Sequence, residues 1–326
     1  MDDSERGSDY CYRSGQRLRS IWIVLCSILL LSSVTVSIFA QDESEISSAF
    51  SEEGSQGCLD CHDEQSDSPV LSIYHTPHGI AADKRTPAGG SGCESCHGPS
   101  AAHAKKPKKA PPAISFGPDH PSDPEKRASS CVACHQDNTL SHWDSSTHEQ
   151  EELACDDCHQ SHLKQDTILD KKQQADLCFD CHKTEQAKID LPSRHPIKEG
   201  KTTCSDCHNP HGSSTTSDLL EPTVSEACLS CHNEKRGPFL FEHAPVTETC
   251  IECHEPHGSA HPALLVSRPP FLCQQCHMSA FHPSQLNDGG GLSVATPNSN
   301  LLGKSCLNCH SSIHGSNHPS GARLTR

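Results

Sequence analysis

Aliphatic and aromatic side chains are scarce in this sequence. Its 326 residues include two Trp, three Tyr and eight Phe, and hydrophobic residues make up only 33% of the total. A chain of this length with one or two ordinary globular domains would need more apolar surface for its core. The shortage excludes a fold held mainly by hydrophobic packing, and composition alone would place the chain among disordered ones.

Cysteine and histidine are abundant instead, with 22 and 25 copies. Disulfides, metals or a bulky cofactor must therefore hold the fold together. Positive charge is also in short supply, because 26 Lys and Arg face 42 Asp and Glu, for a net charge of −16. This balance excludes nucleic acid as an expected partner.

Long hydrophobic runs are absent after residue 40. The one long run covers residues 21–40, follows Arg13, Arg17 and Arg19, and ends in small residues before polar Gln41. This order predicts a signal peptide over residues 1–40, with cleavage after Ala40. An uncleaved membrane anchor is the alternative, since twenty residues can span a bilayer. An acidic linker is expected over residues 41–57.

Twenty of the cysteines fall into one pattern, Cys-x-x-Cys-His. They are Cys58, Cys61, Cys93, Cys96, Cys131, Cys134, Cys155, Cys158, Cys178, Cys181, Cys204, Cys207, Cys228, Cys231, Cys250, Cys253, Cys273, Cys276, Cys306 and Cys309. The histidines of the pattern are His62, His97, His135, His159, His182, His208, His232, His254, His277 and His310. Two such thiols reach the two vinyl groups of one porphyrin, and the adjacent imidazole becomes an axial ligand of its iron. The sequence therefore predicts ten covalently attached c-type haems, each with a proximal histidine.

Zinc ribbons and a disulfide framework are the alternatives for paired cysteines. Neither requires a histidine directly after the second cysteine, yet histidine fills that position in all ten motifs. The pattern therefore favours haem.

A longer repeat assigns second axial ligands. Three copies, at residues 148–182, 195–232 and 243–277, each contain a histidine, a motif that continues as His-x-x-His, and a second motif. Their first motifs begin at residues 155, 204 and 250, which gives periods of 49 and 46 residues and two haems per repeat. With looser flanking copies, the predicted distal ligands are His78, His103, His148, His162, His195, His211, His243, His257, His282 and His314.

Some of these assignments have rivals nearby. His75, His120, His261 and His318 compete with the four distal candidates outside the three repeats, and His142 is a spare histidine beside His148. The second imidazole of each His-x-x-His lies too close to the first to bind the other face of the same haem, so we expect it to ligate a neighbouring haem. Methionine is nearly excluded as a ligand, because the chain has two Met, and low potentials are therefore expected.

The expected fold is a multihaem cytochrome c: mostly irregular, with short α-helices and little or no β-sheet. Clusters of Pro, Gly, Ser and Asp separate the motifs and indicate loops, whereas residues 171–182 can form a helical turn. No strand alternation is long enough to predict a sheet. A decahaem domain is expected over residues 58–326, as an elongated haem-packed array in which each repeat mainly contacts its neighbours.

Electron transfer is the function these residues predict. Every iron can be assigned two imidazoles, so no coordination position is left open for a substrate, and no catalytic residues are predicted. The remaining chemistry is one-electron exchange between haems, for which the protein supplies spacing, ligation and dielectric.

Several segments resemble the MtrA/DmsE family of decahaem cytochromes. The resemblance covers residues 70–282 and is carried by Arg194-His195-Pro196-Ile197, Asn209-Pro210-His211-Gly212, Gly237-Pro238-Phe239-Leu240 and the Gln274-Gln275 pair inside the ninth motif. The long acidic N-terminus and the C-terminal region depart from the family pattern.

The resemblance implies a periplasmic wire that enters an outer-membrane β-barrel porin. Its expected partners are that porin, an inner-membrane or periplasmic electron donor, and an extracellular or outer-surface multihaem cytochrome or terminal reductase. The alternatives are a freely diffusing periplasmic electron carrier and a multihaem reductase.

Overall fold

The computed structural model describes residues 49–65, 69–117, 121–277 and 305–325. The predicted signal peptide and residues 41–48 of the predicted linker lie outside these ranges. The chain divides into two compact units, Met1–Ser122 and Asp123–Arg326, here called the N-terminal and C-terminal units.

Among the described residues, short helices are the main regular structure, and the longest of these helices has nine residues. The α-helices are α1 Ser55–Leu59, α2 Glu94–His97, α3 Ala101–Lys105, α4 Pro124–Val132, α5 Thr147–Gln150, α6 Cys155–Cys158, α7 Gln174–Phe179, α8 Lys183–Ile189, α9 Val224–Leu229, α10 Ala244–Glu248 and α11 Phe271–Gln274. The 3₁₀ turns are Val70–His75, Pro77–Gly79, Asn138–Leu140, Trp143–Ser145, Thr167–Leu169, Cys204–Asp206, Asn233–Lys235, Cys250–Glu252, Pro262–Leu264, Cys306–Asn308 and Gly321–Arg323.

In the ranges described, β-structure is limited to four isolated bridges, which join Ser193 to Ser259, His208 to Leu219, Phe241 to Ser316 and His254 to Leu265. The predicted fold class, irregular with short helices and without a sheet, is confirmed. The helical turn predicted over residues 171–182 is present as α7. No helix among the described residues is long and apolar enough to cross a bilayer.

Each haem-binding motif forms one helical turn. In all ten, the backbone N–H of the histidine donates to the carbonyl of the first cysteine at 2.8–3.1 Å. Residues three and four apart lie on one face of such a turn. The two thiols and the imidazole of each motif are therefore presented together.

In the N-terminal unit, the segment before the first motif packs onto the second. The buried carboxylate of Glu94 accepts the backbone N–H of Ser51 and of Ser100. The hydroxyl of Ser55 accepts the N–H of Cys93 at 3.2 Å. Residues 51 and 55, inside the predicted linker, are thus held against the second motif.

The side-chain core of the C-terminal unit is small. Ala175 and Phe179 of α7 pack with Ile189 of α8 and with Ile197, and Ile189 is only 2% exposed. A separate ion pair ties α4 to α6, because the buried guanidinium of Arg127 lies 2.5 Å from Asp156 and 3.3 Å from Asp157. Such a core leaves most of the space between motifs to be filled by something other than side chains.

Candidate haem sites

The first cysteines of consecutive motifs lie side by side in pairs. Burial, followed by the neighbouring thiol of Cys93, raises the pKa of Cys58 to about 11. Burial and the thiol of Cys250 raise the pKa of Cys228 to about 11, and Cys306 acts in the same way on Cys273. The thiol of Cys131 raises the pKa of Cys155, and the thiol of Cys204 raises that of Cys178.

In the fourth, sixth and eighth motifs, the second cysteine is also close to the second cysteine of the next motif. Burial raises the pKa of Cys158, and an adjacent aspartate and the Cys181 thiol raise it further. Burial also raises the pKa of Cys207, and Asp206 and the Cys231 thiol raise it further. For Cys253 the causes after burial are Glu252 and Cys276. Thiols of consecutive motifs are therefore neighbours throughout the C-terminal unit, so that the third to tenth motifs follow one another in space as they do in the chain.

Seven motif histidines each face a histidine from outside the motifs. The ring-centroid distances are 6.0–6.3 Å for His62–His103, His148–His182, His159–His211, His195–His232, His208–His257, His243–His277 and His254–His314. All seven outside histidines are among the ten predicted distal ligands.

The spacing of these pairs fits an iron held between two imidazoles. Two metal–imidazole bonds of about 2 Å and two ring radii of about 1 Å add up to about 6 Å. Neighbouring unligated rings could pack more closely than this in stacked contact. The residues present therefore suit a bis-histidine haem at each of the seven pairs.

The pairs are interleaved along the sequence. His159 faces His211 of the second repeat rather than its near neighbour His162, and His208 likewise faces His257 of the third. The histidine that opens each repeat faces the second motif of its own repeat, as His195 faces His232. Consecutive repeats are thus linked through two-sided sites.

Hydrogen bonds orient these imidazoles. The Nδ1 atoms of His148 and His195 lie 2.7 and 2.8 Å from the carbonyls of Pro210 and Pro256, each from the next repeat. An N–H donated from Nδ1 leaves Nε2 as the nitrogen available to a metal. No role was predicted for these two prolines from the sequence. Their position directly before a predicted distal histidine is the signal that could have identified them.

For His159, the hydrogen-bond partner of Nδ1 is a carboxylate instead of a backbone carbonyl. His159 Nδ1 lies 2.7 Å from Oδ2 of Asp166. Asp166 was not predicted from the sequence. The motif pattern identifies the imidazole, but it does not identify the residue that accepts a hydrogen bond from the Nδ1 of that imidazole.

The other predicted ligands are placed as follows. His97 Nδ1 lies 3.0 Å from the carbonyl of Ile114, and His310 Nδ1 lies 2.7 Å from that of Arg323. His78 lies in the turn Pro77–Gly79. His135, like the other motif histidines, closes its helical turn, and His162 follows α6. Their roles as ligands stay predictions.

Two of the histidines considered, His282 and the rival His120, lie outside the described residues. Among the other rivals, the Nδ1 of His318 accepts the N–H of Ser320 at 3.1 Å. None of the twenty motif cysteines forms a disulfide, and the described residues form no group of three or more His, Cys, Asp or Glu arranged for a metal ion.

Ten Cys-x-x-Cys-His turns, with facing imidazoles at the spacing of a two-sided iron site, define a multihaem c-type cytochrome. Family models agree with this class. Residues 195–237 and 243–282 match the doubled CXXCH motif, and residues 93–181 match the NrfB-like c-type cytochromes.

Two curated proteins are similar in sequence. The multiheme cytochrome MtrA of Shewanella baltica (strain OS185) is 47% identical over 280 residues, which cover 85% of this chain and 83% of the relative. The cytochrome c-type protein NrfB of Haemophilus influenzae is 31% identical over 121 residues, which cover 34% of this chain and 53% of the relative. The chain belongs to the MtrA family of multihaem cytochromes, and its general function is electron transfer.

Proposed function

We propose that this chain is a periplasmic wire of ten c-type haems. Each haem is attached through the two cysteines of one motif, and its iron is held by the motif histidine and by one of the ten predicted distal histidines. Bound haem supplies one-electron exchange between Fe(III) and Fe(II). The chain itself fixes the spacing and ligation of the haems and catalyses no separate reaction.

The proximity of thiols from consecutive motifs is the observation that carries this proposal. Each cysteine marks an edge of its haem, because the thioether bonds form at the vinyl groups. Motifs that are neighbours in the chain have adjacent cysteines throughout the C-terminal unit, for example Cys131 with Cys155 and then Cys158 with Cys181. Electrons can therefore pass from one haem to the next in chain order.

The imidazole pairs support a wire over an enzyme. A haem enzyme needs an iron with an open coordination position, whereas each of the seven described pairs places an imidazole on both sides. Two-sided ligation keeps the geometry of the iron nearly constant between oxidation states, which suits electron transfer.

We propose further that the wire runs inside an outer-membrane β-barrel porin. It would receive electrons from an inner-membrane or periplasmic donor and deliver them to an extracellular multihaem cytochrome or terminal reductase. The family membership and the resemblance over residues 70–282 support this proposal. A lipid-exposed irregular backbone cannot cross a bilayer unaided, so a barrel would have to shelter this mostly irregular chain.

Purification of the full chain from outer-membrane fractions tests both parts. We expect the mass of the polypeptide plus ten haems, a low-spin ferric spectrum and co-purification of a barrel protein. A mass without ten haems would contradict the wire. A fully loaded chain recovered only from the soluble periplasmic fraction, with no barrel protein, would overturn the porin proposal in favour of the diffusing carrier.

A further inference from the structure

Among eight described imidazoles that have Nδ1 within 3.0 Å of a carbonyl or carboxylate oxygen, one differs in the kind of acceptor. His97, His103, His148, His195, His208, His254 and His310 each have Nδ1 within 2.7–3.0 Å of a backbone carbonyl. His159 instead has its Nδ1 2.7 Å from the carboxylate of Asp166. A carboxylate carries a full negative charge, whereas a carbonyl presents only a dipole, so hydrogen bonds to carboxylates are the stronger.

The difference arises from the loop that follows the motif. In the second and third repeats, the acceptors for His208 and His254 are the carbonyls of Ser217 and Ala263, nine residues later. The loop after His159 turns back sooner and brings the side chain of residue 166 to the ring. The three histidines hold the same position in the repeat pattern, since each belongs to the first motif of its repeat and faces a histidine of the following segment.

Asp166 is held in place by bonds of its own. Its Oδ1 accepts the backbone N–H of Gln160 at 3.2 Å and that of Ile168 at 3.4 Å, so that Asp166 caps the turn Thr167–Leu169. Its side chain is only 16% exposed. Water therefore screens its charge less than it screens the charge of a surface carboxylate.

Two other carboxylates approach imidazoles without bonding to them. Glu234 lies 3.8 Å from Nδ1 of His232, and Glu255 lies 3.8 Å from Nδ1 of His257. Both distances exceed hydrogen-bond range. Asp156 and Asp157, which belong to the fourth motif itself, both form ion pairs with Arg127.

A tryptophan contacts the opposite ring of the same pair. His211 is stacked 6.1 Å from His159, and the buried ring of Trp143 contacts His211 edge-on at 6.4 Å. The site between His159 and His211 thus combines a fixed carboxylate on one ring with an aromatic side chain beside the other, and the charge of Asp137 also acts on His211.

We propose that Asp166 is a positioning residue that holds the haem of the fourth motif at a lower reduction potential than the equivalent haems of His208 and His254. This inference rests on the proposed function. A hydrogen bond to a carboxylate draws the Nδ1 proton away from the ring, so the imidazole donates more electron density through Nε2. The added density favours Fe(III), and second-shell hydrogen bonding is one of the established controls of haem potential. An electron passing along the chain therefore meets a less favourable site at the fourth haem than at these two equivalent haems.

Redox titration of the fully loaded chain tests this inference. Asp166→Asn preserves the shape of the side chain and removes its charge. We expect one of the ten one-electron steps to move to higher potential, with a change in the g-values of one low-spin ferric signal in electron paramagnetic resonance. The matched control is Asp170→Asn, which removes the same charge from the same loop, at a side chain that bonds only Lys172 and Gln173. All ten steps should stay in place in that control.

Mass spectrometry separates the possible failures. A wild-type chain without ten haems would remove the proposed function, and with it the basis for the present inference. A wild-type chain and an Asp166→Asn chain that each carry ten haems and titrate identically would overturn the inference alone. Asp166→Ser is the second variant, because serine can also cap the turn Thr167–Leu169. Loss of a haem in both variants, but not in Asp170→Asn, would also overturn it, since Asp166 would then be needed only for folding.

Discussion

His211 illustrates how one side chain serves two repeats. It belongs to the second repeat but faces His159 of the first at 6.1 Å, and burial lowers its pKa, with the nearby His159 contributing further. The neutral imidazole that burial favours is also the form that binds iron. His211 is therefore suited to complete a site that its own motif does not contain.

We predict that His211→Ala leaves ten haems attached and opens one coordination position. The covalent bonds of the fourth motif do not involve His211, whereas its loss removes the imidazole that faces His159. One haem in ten should become high-spin in the ferric state, as measured by electron paramagnetic resonance.

His142→Ala is the control for this variant, because His142 is a histidine of the same region that no motif or repeat assigns to a haem. Its spectrum should match that of the wild type. A fully low-spin His211→Ala chain would show that His211 is not a ligand.

At the residue scale, the sequence predicts the class of cofactor but not the surroundings of each imidazole. Histidine after each second cysteine is a local pattern, and the repeat period points to the second histidines without a structure. The pairing of the histidines depends on tertiary contacts, since His159 faces His211 and not His162, which is nearer in the sequence. The carboxylate behind His159 could not be predicted either, because its approach depends on the path of a loop.

The segment Pro-His-Gly is the element that joins one repeat to the one before it. In Pro256-His257-Gly258, the proline carbonyl accepts from His195 and the histidine faces His208. A Cβ on the glycine would collide with the backbone carbonyl of Lys188. Gly212 packs in the same way, where a Cβ would lie 2.7 Å from the carbonyl of His142.

We predict that Gly258→Ala lowers the free energy of unfolding by about 1–3 kcal/mol, the usual cost of overpacking. The added methyl group must push the third repeat away from α8, and the His208–His257 pair would move with it. Thermal unfolding followed by haem absorbance measures the loss.

Gly90→Ala is the matched substitution, because its new Cβ would meet its nearest neighbour at an ordinary 3.5 Å. It should unfold close to the wild-type temperature. Equal stability of the two variants would show that Gly258 does not fix the docking of the repeat.

The helices show where sequence patterns are least informative. The turn predicted over residues 171–182 is confirmed as α7, but α8, which supplies Ile189 to the core, was not predicted. Helices of four to nine residues carry too few positions for a periodic apolar pattern. Their positions follow from the motifs and from caps such as Asp123, whose side chain accepts the N–H of Glu125.

Over the whole molecule, few apolar side chains are buried. Nine hydrophobic residues in the described ranges are buried, and four of them are alanines: Ala101, Ala128, Ala154, Ala175, Trp143, Phe179, Ile189, Ile197 and Leu265. A core of this size stabilises a chain of 326 residues poorly. Covalent haem must therefore supply much of the packing and cross-linking, as structural metals do in small domains.

We predict that the chain has no cooperative unfolding transition when it is produced in a host unable to attach haem. Far-UV circular dichroism and amide hydrogen exchange would report little helix and little protection, whereas the loaded chain should be protected around every motif. A sharp transition in the haem-free chain, with the helix content of the loaded form, would contradict the view that haem replaces the core.

The interleaved imidazole pairs would allow the chain to gain or lose one complete repeat, with its two haems, at a time. Residues 195–242 span one complete period, and the histidines at either end of that span make equivalent contacts. Excision of the span would offer His159 the imidazole of His257 and would offer His148 the carbonyl of Pro256, in place of His211 and Pro210. An eight-haem chain could thus close without an orphaned iron. Duplication or loss of a period is accordingly a simple way for such a chain to gain or lose two haems while every site stays two-sided.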